Sequence, residues 1–264
     1  MTPAIGPRSH ASSTWTFVQW DTGPRSGTLA SVKVEVHTDA EAVARAAATV
    51  IAAEARSAET SRGRFVMAVS GGRTPWLMLR ALALEDVPWK AVHIVQVDER
   101  VAPAGHPDRN LTHIEETLLR HSPLRAEQVM AMPVDDADLT AGAARYAQAL
   151  AQLAGAPPVI DLVHLGLGAD GHTASLVPSD PVLRVGDADV AVTQAHQGWR
   201  RMTLTYPILD RARSILWVIT GSDKTEALQR LREGDTAIPA GRVRADHALA
   251  LVDRMAAGER GPRY

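Results

Sequence analysis

Asp170 and His172 sit close together in the segment Asp161-Leu-Val-His-Leu-Gly-Leu-Gly-Ala-Asp-Gly-His-Thr-Ala-Ser175. A carboxylate beside an imidazole is what proton transfer near neutral pH needs. The apolar run from Ile160 to Leu165 reads as a strand, and Gly166, Gly168 and Gly171 read as the loop that follows it. Open α/β sheets keep their ligands in loops at the carboxyl ends of strands.

Other segments carry chemistry of a complementary kind. Ala68-Val-Ser-Gly-Gly-Arg-Thr-Pro75 reads as strand, glycine turn and helix start. Free amides at such a helix start, with the positive end of its dipole, form an anion or phosphate site. A plain tight turn accounts for the glycines equally well, and the Gly-Lys-Ser/Thr ending of a P-loop is absent. Asp98-Glu-Arg100 follows another strand. Arg100 has the shape to grip an oxyanion in bidentate fashion, with Asp98 and Glu99 as orienting or proton-handling groups, although loop charges commonly do no more than pair with neighbours. Arg200-Arg201 opens a strand, and Lys224 lies in the first turn after one. With Gly71 and Gly72, Arg201 and Lys224 would complete a phosphate clamp if the fold brings them together.

Two alternatives fail on their own terms. Gly166-Leu-Gly-Ala-Asp-Gly171 matches the spacing of a dinucleotide fingerprint after a strand, but Pro178 and Pro181 limit any helix there to about two turns. Asp170 would also set a negative charge against a pyrophosphate. His106, Asp108, His113 and Glu116 match no standard metal spacing; no metal and no cofactor is expected.

The elements that must position these groups alternate. Val32, Val34 and Val36 form a half-buried strand pattern, and Asp39 is placed to cap an alanine-rich helix over 40–58. Strands are predicted at 65–69 and 92–97, with helices from Thr74-Pro75 through Leu84, over 110–120 and over 138–154. Residues 129–132 are a short apolar piece. Further strands are predicted at 160–165, 189–194, 201–205 and 214–219, and helices at 223–232 and 246–257. Strands alternating with helices imply an α/β fold: an open, largely parallel sheet with helices on both faces, plus a few short strands, some antiparallel, after residue 188.

The chain has 264 residues, a net charge of −2 and no cysteine. That length suffices for one large domain, read here as 31–264. The balanced charge argues against nucleic-acid or membrane-surface partners. The lack of cysteine removes disulfides and thiolate sites and fits a reducing cytoplasm. No apolar run reaches the roughly 18 residues a membrane span needs, and no secretory signal pattern is evident. Residues 1–30, rich in Ser, Thr, Gly and Pro, are expected to be a poorly ordered extension, with Trp15-Thr-Phe-Val-Gln-Trp20 able to add a strand or dock.

Taken in order, Ser70-Gly-Gly-Arg-Thr-Pro75, Asp98-Glu-Arg100, His106-Pro-Asp-Arg-Asn110, Gly166 through Pro178, Arg201-Met-Thr-Leu-Thr205, Gly221-Ser-Asp-Lys224 and Ile238-Pro-Ala240 resemble the 6-phosphogluconolactonases, relatives of the glucosamine-6-phosphate deaminases. The resemblance runs from about Val32 to Ala257. It implies hydrolysis of 6-phospho-D-glucono-1,5-lactone to 6-phosphogluconate in the oxidative pentose phosphate pathway, without a nicotinamide or flavin. It further implies His172 as general base, Asp170 as its orienting partner, and Arg100 as the group holding substrate or oxyanion. Ser70, Gly71, Gly72, Arg73, Asp98, Glu99, Asn110, Arg201 and Lys224 become the substrate and phosphate contacts, in a cytoplasmic monomer or small homo-oligomer. Departures are Arg73 in place of Ser or Thr, Arg109 in place of a common serine, and no tryptophan around 250–253.

The same resemblance defines the rivals. Deaminases typically carry Asp-Glu-Tyr where this chain has Asp98-Glu99-Arg100, and place an acid soon after the Gly-His pair. Here Thr-Ala-Ser-Leu-Val-Pro follows His172, with no acid before Asp180. A non-enzymatic sugar-phosphate sensor would need a DNA-binding domain, for which residues 1–30 are too short and insufficiently basic.

Overall fold

A computed structural model describes residues 32–259. The predicted extension at 1–30, including the Trp15–Trp20 patch, lies outside them. The chain opens with β1 (Lys33–His37) and α1 (Ala40–Arg62), which starts where the Asp39 carboxylate accepts the Ala42 amide and ends at Gly63. Next come β2 (Phe65–Val69), α2 (Arg73–Leu82), β3 (Val92–Gln96), β4 (Asp98–Arg100), α3 (Asn110–Thr117) and β5 (Val129–Met130). They are followed by α4 (Leu139–Ala154), β6 (Leu162–Leu165), β7 (Val190–Val192), β8 (Arg201–Leu204) and α5 (Tyr206–Asp210). The last elements are β9 (Ser214–Ile219), α6 (Thr225–Arg232) and β10 (Ala248–Asp253).

Seven strands form one parallel sheet in the order β1-β10-β9-β6-β2-β3-β5. Its central strands are buried on both faces, which is why β2 is a continuous apolar run. Phe65, Met67 and Val69 pack with residues of α1, α2 and α3, such as Ile51, Leu79 and Ile114. Val66 and Ala68 point the other way, into a core shared with α4, α5 and α6 through Leu150, Ile208 and Leu228. The expected open α/β sheet with helices on both faces is therefore what the chain forms.

The strand order reverses at β2, with β3 on one side and β6 on the other. Loops leaving the carboxyl ends of β2, β3, β6 and β9 gather there, at the crevice where such sheets bind ligands. A second, antiparallel sheet of order β4-β8-β7 stands over that end.

Two segments differ from expectation. Residues 246–257 were predicted to be a helix, but Ala248–Asp253 is strand β10, inserted between β1 and β9. A strand buried on both faces loses its alternation, so Ala-Leu-Ala-Leu-Val reads equally well with a helical period. Asp98–Arg100, predicted to be loop, pairs with Arg201–Thr203 as strand β4. Helix α2 also begins at Arg73, two residues before the expected first helical residue Pro75, with Gly72 rather than Thr74 at its N-cap and no side-chain cap, so its first amides stay free for another acceptor.

Candidate active site

At this crevice lies an open cavity of about 240 Å³, with the Ser70–Gly72 loop after β2 forming one rim and Gly168 and His172 of the loop after β6 forming the other, and with Arg100 and Lys224 also in its wall. No helix follows Gly171; the chain makes a tight turn closed by a Thr173–Leu176 bridge instead. That turn removes the dinucleotide reading. His172 Nδ1 lies 2.5 Å from Asp170 Oδ1, which also accepts the His172 amide. Burial alone would raise the Asp170 pKa, but the His172 amide and imidazole together hold it below the usual carboxylate range. An ionised Asp170 on Nδ1 fixes the tautomer and leaves Nε2, which has no partner among the described residues, to accept a proton. Gly168 permits this arrangement: a Cβ there would come within 2.1 Å of His172 Nδ1.

Arg100 is aimed by neighbours. One guanidinium nitrogen donates to the Asn110 side-chain oxygen (3.1 Å) and to the Asp108 carbonyl (2.8 Å). Asn110 in turn donates to the Asp98 carbonyl, and the Asp98 carboxylate accepts from Ser175 Oγ at 2.6 Å. Gly71 passes so close to Asn110 that a Cβ would sit 1.9 Å from its side-chain oxygen. This contact sets Asn110, and through it Arg100, against the Ser70–Gly72 loop.

Lys224 lies in a single 3-10 turn, Ser222–Lys224, directly after β9. The Asp253 carboxylate, at the end of β10, holds that turn by accepting the Gly221 amide.

Three expected contacts are placed elsewhere. Glu99 is fully buried and does not reach the cavity. Its carboxylate accepts from the amides of Arg100, Asn110 and Leu111 and from the Gln96 side chain, and Arg109 lies 3.5 Å away. It fastens the start of α3 to β4. Arg73 is exposed and outside the cavity wall, near Asp223. Arg201 is buried opposite Arg100 across the β4–β8 pair and does not line the cavity. Burial and the adjacent Arg100 lower its pKa, opposed by Asp98 and Asp108. Arg201 thus stands behind Arg100 and lies outside the cavity wall.

Sequence reasoning overlooked Ser175, whose hydroxyl anchors Asp98, and His164, a buried imidazole that accepts the Ser70 amide. A histidine in the middle of the apolar run of β6 was the available signal. His106 and His113 are engaged locally, with the Asp108 amide and the Pro107 carbonyl. Among the described residues no three His, Asp or Glu side chains converge as a metal site.

The model of the glucosamine-6-phosphate isomerases/6-phosphogluconolactonase family matches residues 38–252. The chain belongs to this family. A 6-phosphogluconolactonase of Nostoc sp. (strain PCC 7120) is 33% identical over 232 residues, covering 85% of this chain and 96% of the relative. The solved 6-phosphogluconolactonase from Trypanosoma cruzi superposes with a TM-score of 0.79 at 23% identity, covering 90% of this chain and all of that one. A solved monomeric glucosamine-6-phosphate deaminase superposes at 0.75 and 21% identity, over 86% of this chain and all of its own. At those identities the two structures share the fold alone, so within the family the site residues must separate hydrolysis from deamination. The segment after His172 is decisive here. Thr173 and Ser175 are buried, Ser175 is bonded to Asp98, and no carboxylate occupies that stretch.

Proposed function

We propose that the protein hydrolyses 6-phospho-D-glucono-1,5-lactone to 6-phospho-D-gluconate, the lactonase step of the oxidative pentose phosphate pathway. The observation that carries this reading is the Asp170–His172 pair, with a free Nε2 on a cavity whose other rim is the Ser70–Gly72 loop. The sequence likeness to curated 6-phosphogluconolactonases supports it.

In this reading the phosphate rests on the Gly71 and Gly72 amides and the free amides of α2, with Lys224 as counter-charge. That remote grip orients the lactone carbonyl toward His172. Nε2 takes a proton from water as the water oxygen bonds to C1. Arg100, backed by the charge of Arg201, stabilises the resulting oxyanion. Collapse breaks the bond from C1 to the ring oxygen, and the imidazolium returns its proton to that oxygen. Asp170 remains ionised and holds the ring throughout. No acid is needed after His172, because the leaving group stays attached and the ester is already activated.

Residues 31–264 act as one catalytic domain in this account. No described helix is long and apolar enough to cross a membrane. The cytoplasm is the compartment proposed, with a monomer or small homo-oligomer as the working form. The test is direct: purified protein accelerates the decay of freshly made 6-phosphogluconolactone and releases no ammonia from glucosamine-6-phosphate. Ammonia release without lactone hydrolysis would reverse the assignment.

A further inference from the structure

His164 is a fully buried imidazole with no part in the reaction above. It lies in β6, with β2 and β9 on either side. It shares a strand face with Leu162, which packs in the apolar cluster under α1, α2 and α3. Burial pushes its pKa down to about 3, so the ring is neutral and one nitrogen bears hydrogen. Nδ1 faces the Ser70 amide at 3.3 Å and acts as acceptor. The hydrogen is therefore on Nε2, which has no partner among the described residues.

An unpaired buried N–H is destabilising, and an aliphatic residue would avoid it. What the ring provides in return is its single bond, made to the first residue of the Ser70–Gly72 loop. Backbone pairing of β2 with β6 ends at Ala68 and Val163. The Ser70 amide lies beyond that ladder, and a side chain from the neighbouring strand holds it instead.

We propose that His164 is a positioning residue for phosphate recognition: its Nδ1 fixes the Ser70 peptide and thereby the direction in which the Gly71 and Gly72 amides point. The inference rests on the assignment of Ser70–Gly72 as the phosphate loop. It concerns the chain's own choice of side chain beneath that loop, where a leucine would pack without a polar cost.

The test compares H164N, H164Q and H164L with the native protein, using 6-phosphoglucono-1,5-lactone and unphosphorylated glucono-1,5-lactone as substrates. Asn carries its oxygen on the same carbon as Nδ1 and can accept from Ser70; Gln carries its oxygen one bond farther, and Leu has no acceptor. Gln and Leu should raise KM for the phosphorylated lactone about three- to tenfold, the range one hydrogen bond supports. The change should fall on KM rather than kcat, spare the unphosphorylated lactone, and be restored in H164N. Equal KM values across the series, an Asn variant as impaired as Gln, or equal losses on both lactones would overturn it. If the Leu variant does not fold, the Asn–Gln pair decides. A native protein that shows no KM preference for the phosphorylated lactone would sink the phosphate-loop assignment itself, before any variant is compared.

Discussion

The two rims of the cavity are built by different means. The Ser70–Gly72 rim offers backbone amides at the junction of β2 and α2, with Lys224 supplied from the end of β9. The His172 rim and the wall carrying Arg100 and Asp98 offer side chains, each held by another: His172 by Asp170, Arg100 by Asn110, and Asp98 by Ser175. Amides rooted in strand ends suit a group that is bound in the same way throughout the reaction. A hydrogen-bonded chain of side chains suits groups that must take up charge or protons as bonds change. The first rim should therefore lose affinity when damaged, and the second should lose rate.

The largest effect is expected at His172. His172→Ala should lower kcat about 10²- to 10⁴-fold, the range for loss of a general base. The side chain is partly exposed, so the thermal midpoint should barely move. Near-native turnover would remove His172 from the proton transfer and collapse the contrast between the rims.

Glu99→Ala probes the scaffold of the same rim. It removes a buried carboxylate that accepts three backbone amides and one side-chain amide and leaves Arg109 without that partner. A loss of about 3 kcal/mol in urea denaturation is expected, as for a broken buried pair. A catalytic loss without a stability loss would mean that Glu99 contacts substrate after all.

Acid probes the base of the other rim. An unfolded histidine takes a proton near pH 6.5, whereas His164 in the folded chain does not until about pH 3. The unfolded state therefore binds more protons over that window, and stability falls as pH falls through it. His164 alone should account for about 2 kcal/mol lost between pH 7 and pH 5, a loss that His164→Asn removes. Parallel pH profiles for the two proteins would contradict the buried, neutral ring. His37 and His93, also lowered by burial, add the same slope to both proteins and cancel in the comparison.

Lys224→Ala should have the smallest effect, raising KM for the phosphorylated lactone about tenfold through loss of one charge-assisted contact. An unchanged KM would sharpen the picture by assigning phosphate recognition to the amides alone.

Local signals carried much of this architecture. Asp39 marks the start of α1, the run Phe65–Val69 marks a central strand, and the glycines around Asp170 mark the loop that holds it. What stayed hidden depended on partners distant in sequence. β10 lost its alternation because β1 and β9 flank it and both its faces are buried. Glu99 looked like a loop acid because nothing local announces that the start of α3 returns eleven residues later to donate its amides. Arg201 was grouped with Lys224 by charge, and only the pairing of β8 with β4 shows that it stands opposite Arg100. Ser175 became informative once its bond to Asp98, 77 residues away, was visible.

The most direct test is a crystal structure with bound 6-phosphogluconate. The phosphate should lie against the Gly71 and Gly72 amides and Lys224, with the C1 carboxylate between His172 Nε2 and Arg100. A reversed pose, with the phosphate at Arg100 and Arg201 and the carboxylate at the Ser70–Gly72 loop, would contradict it.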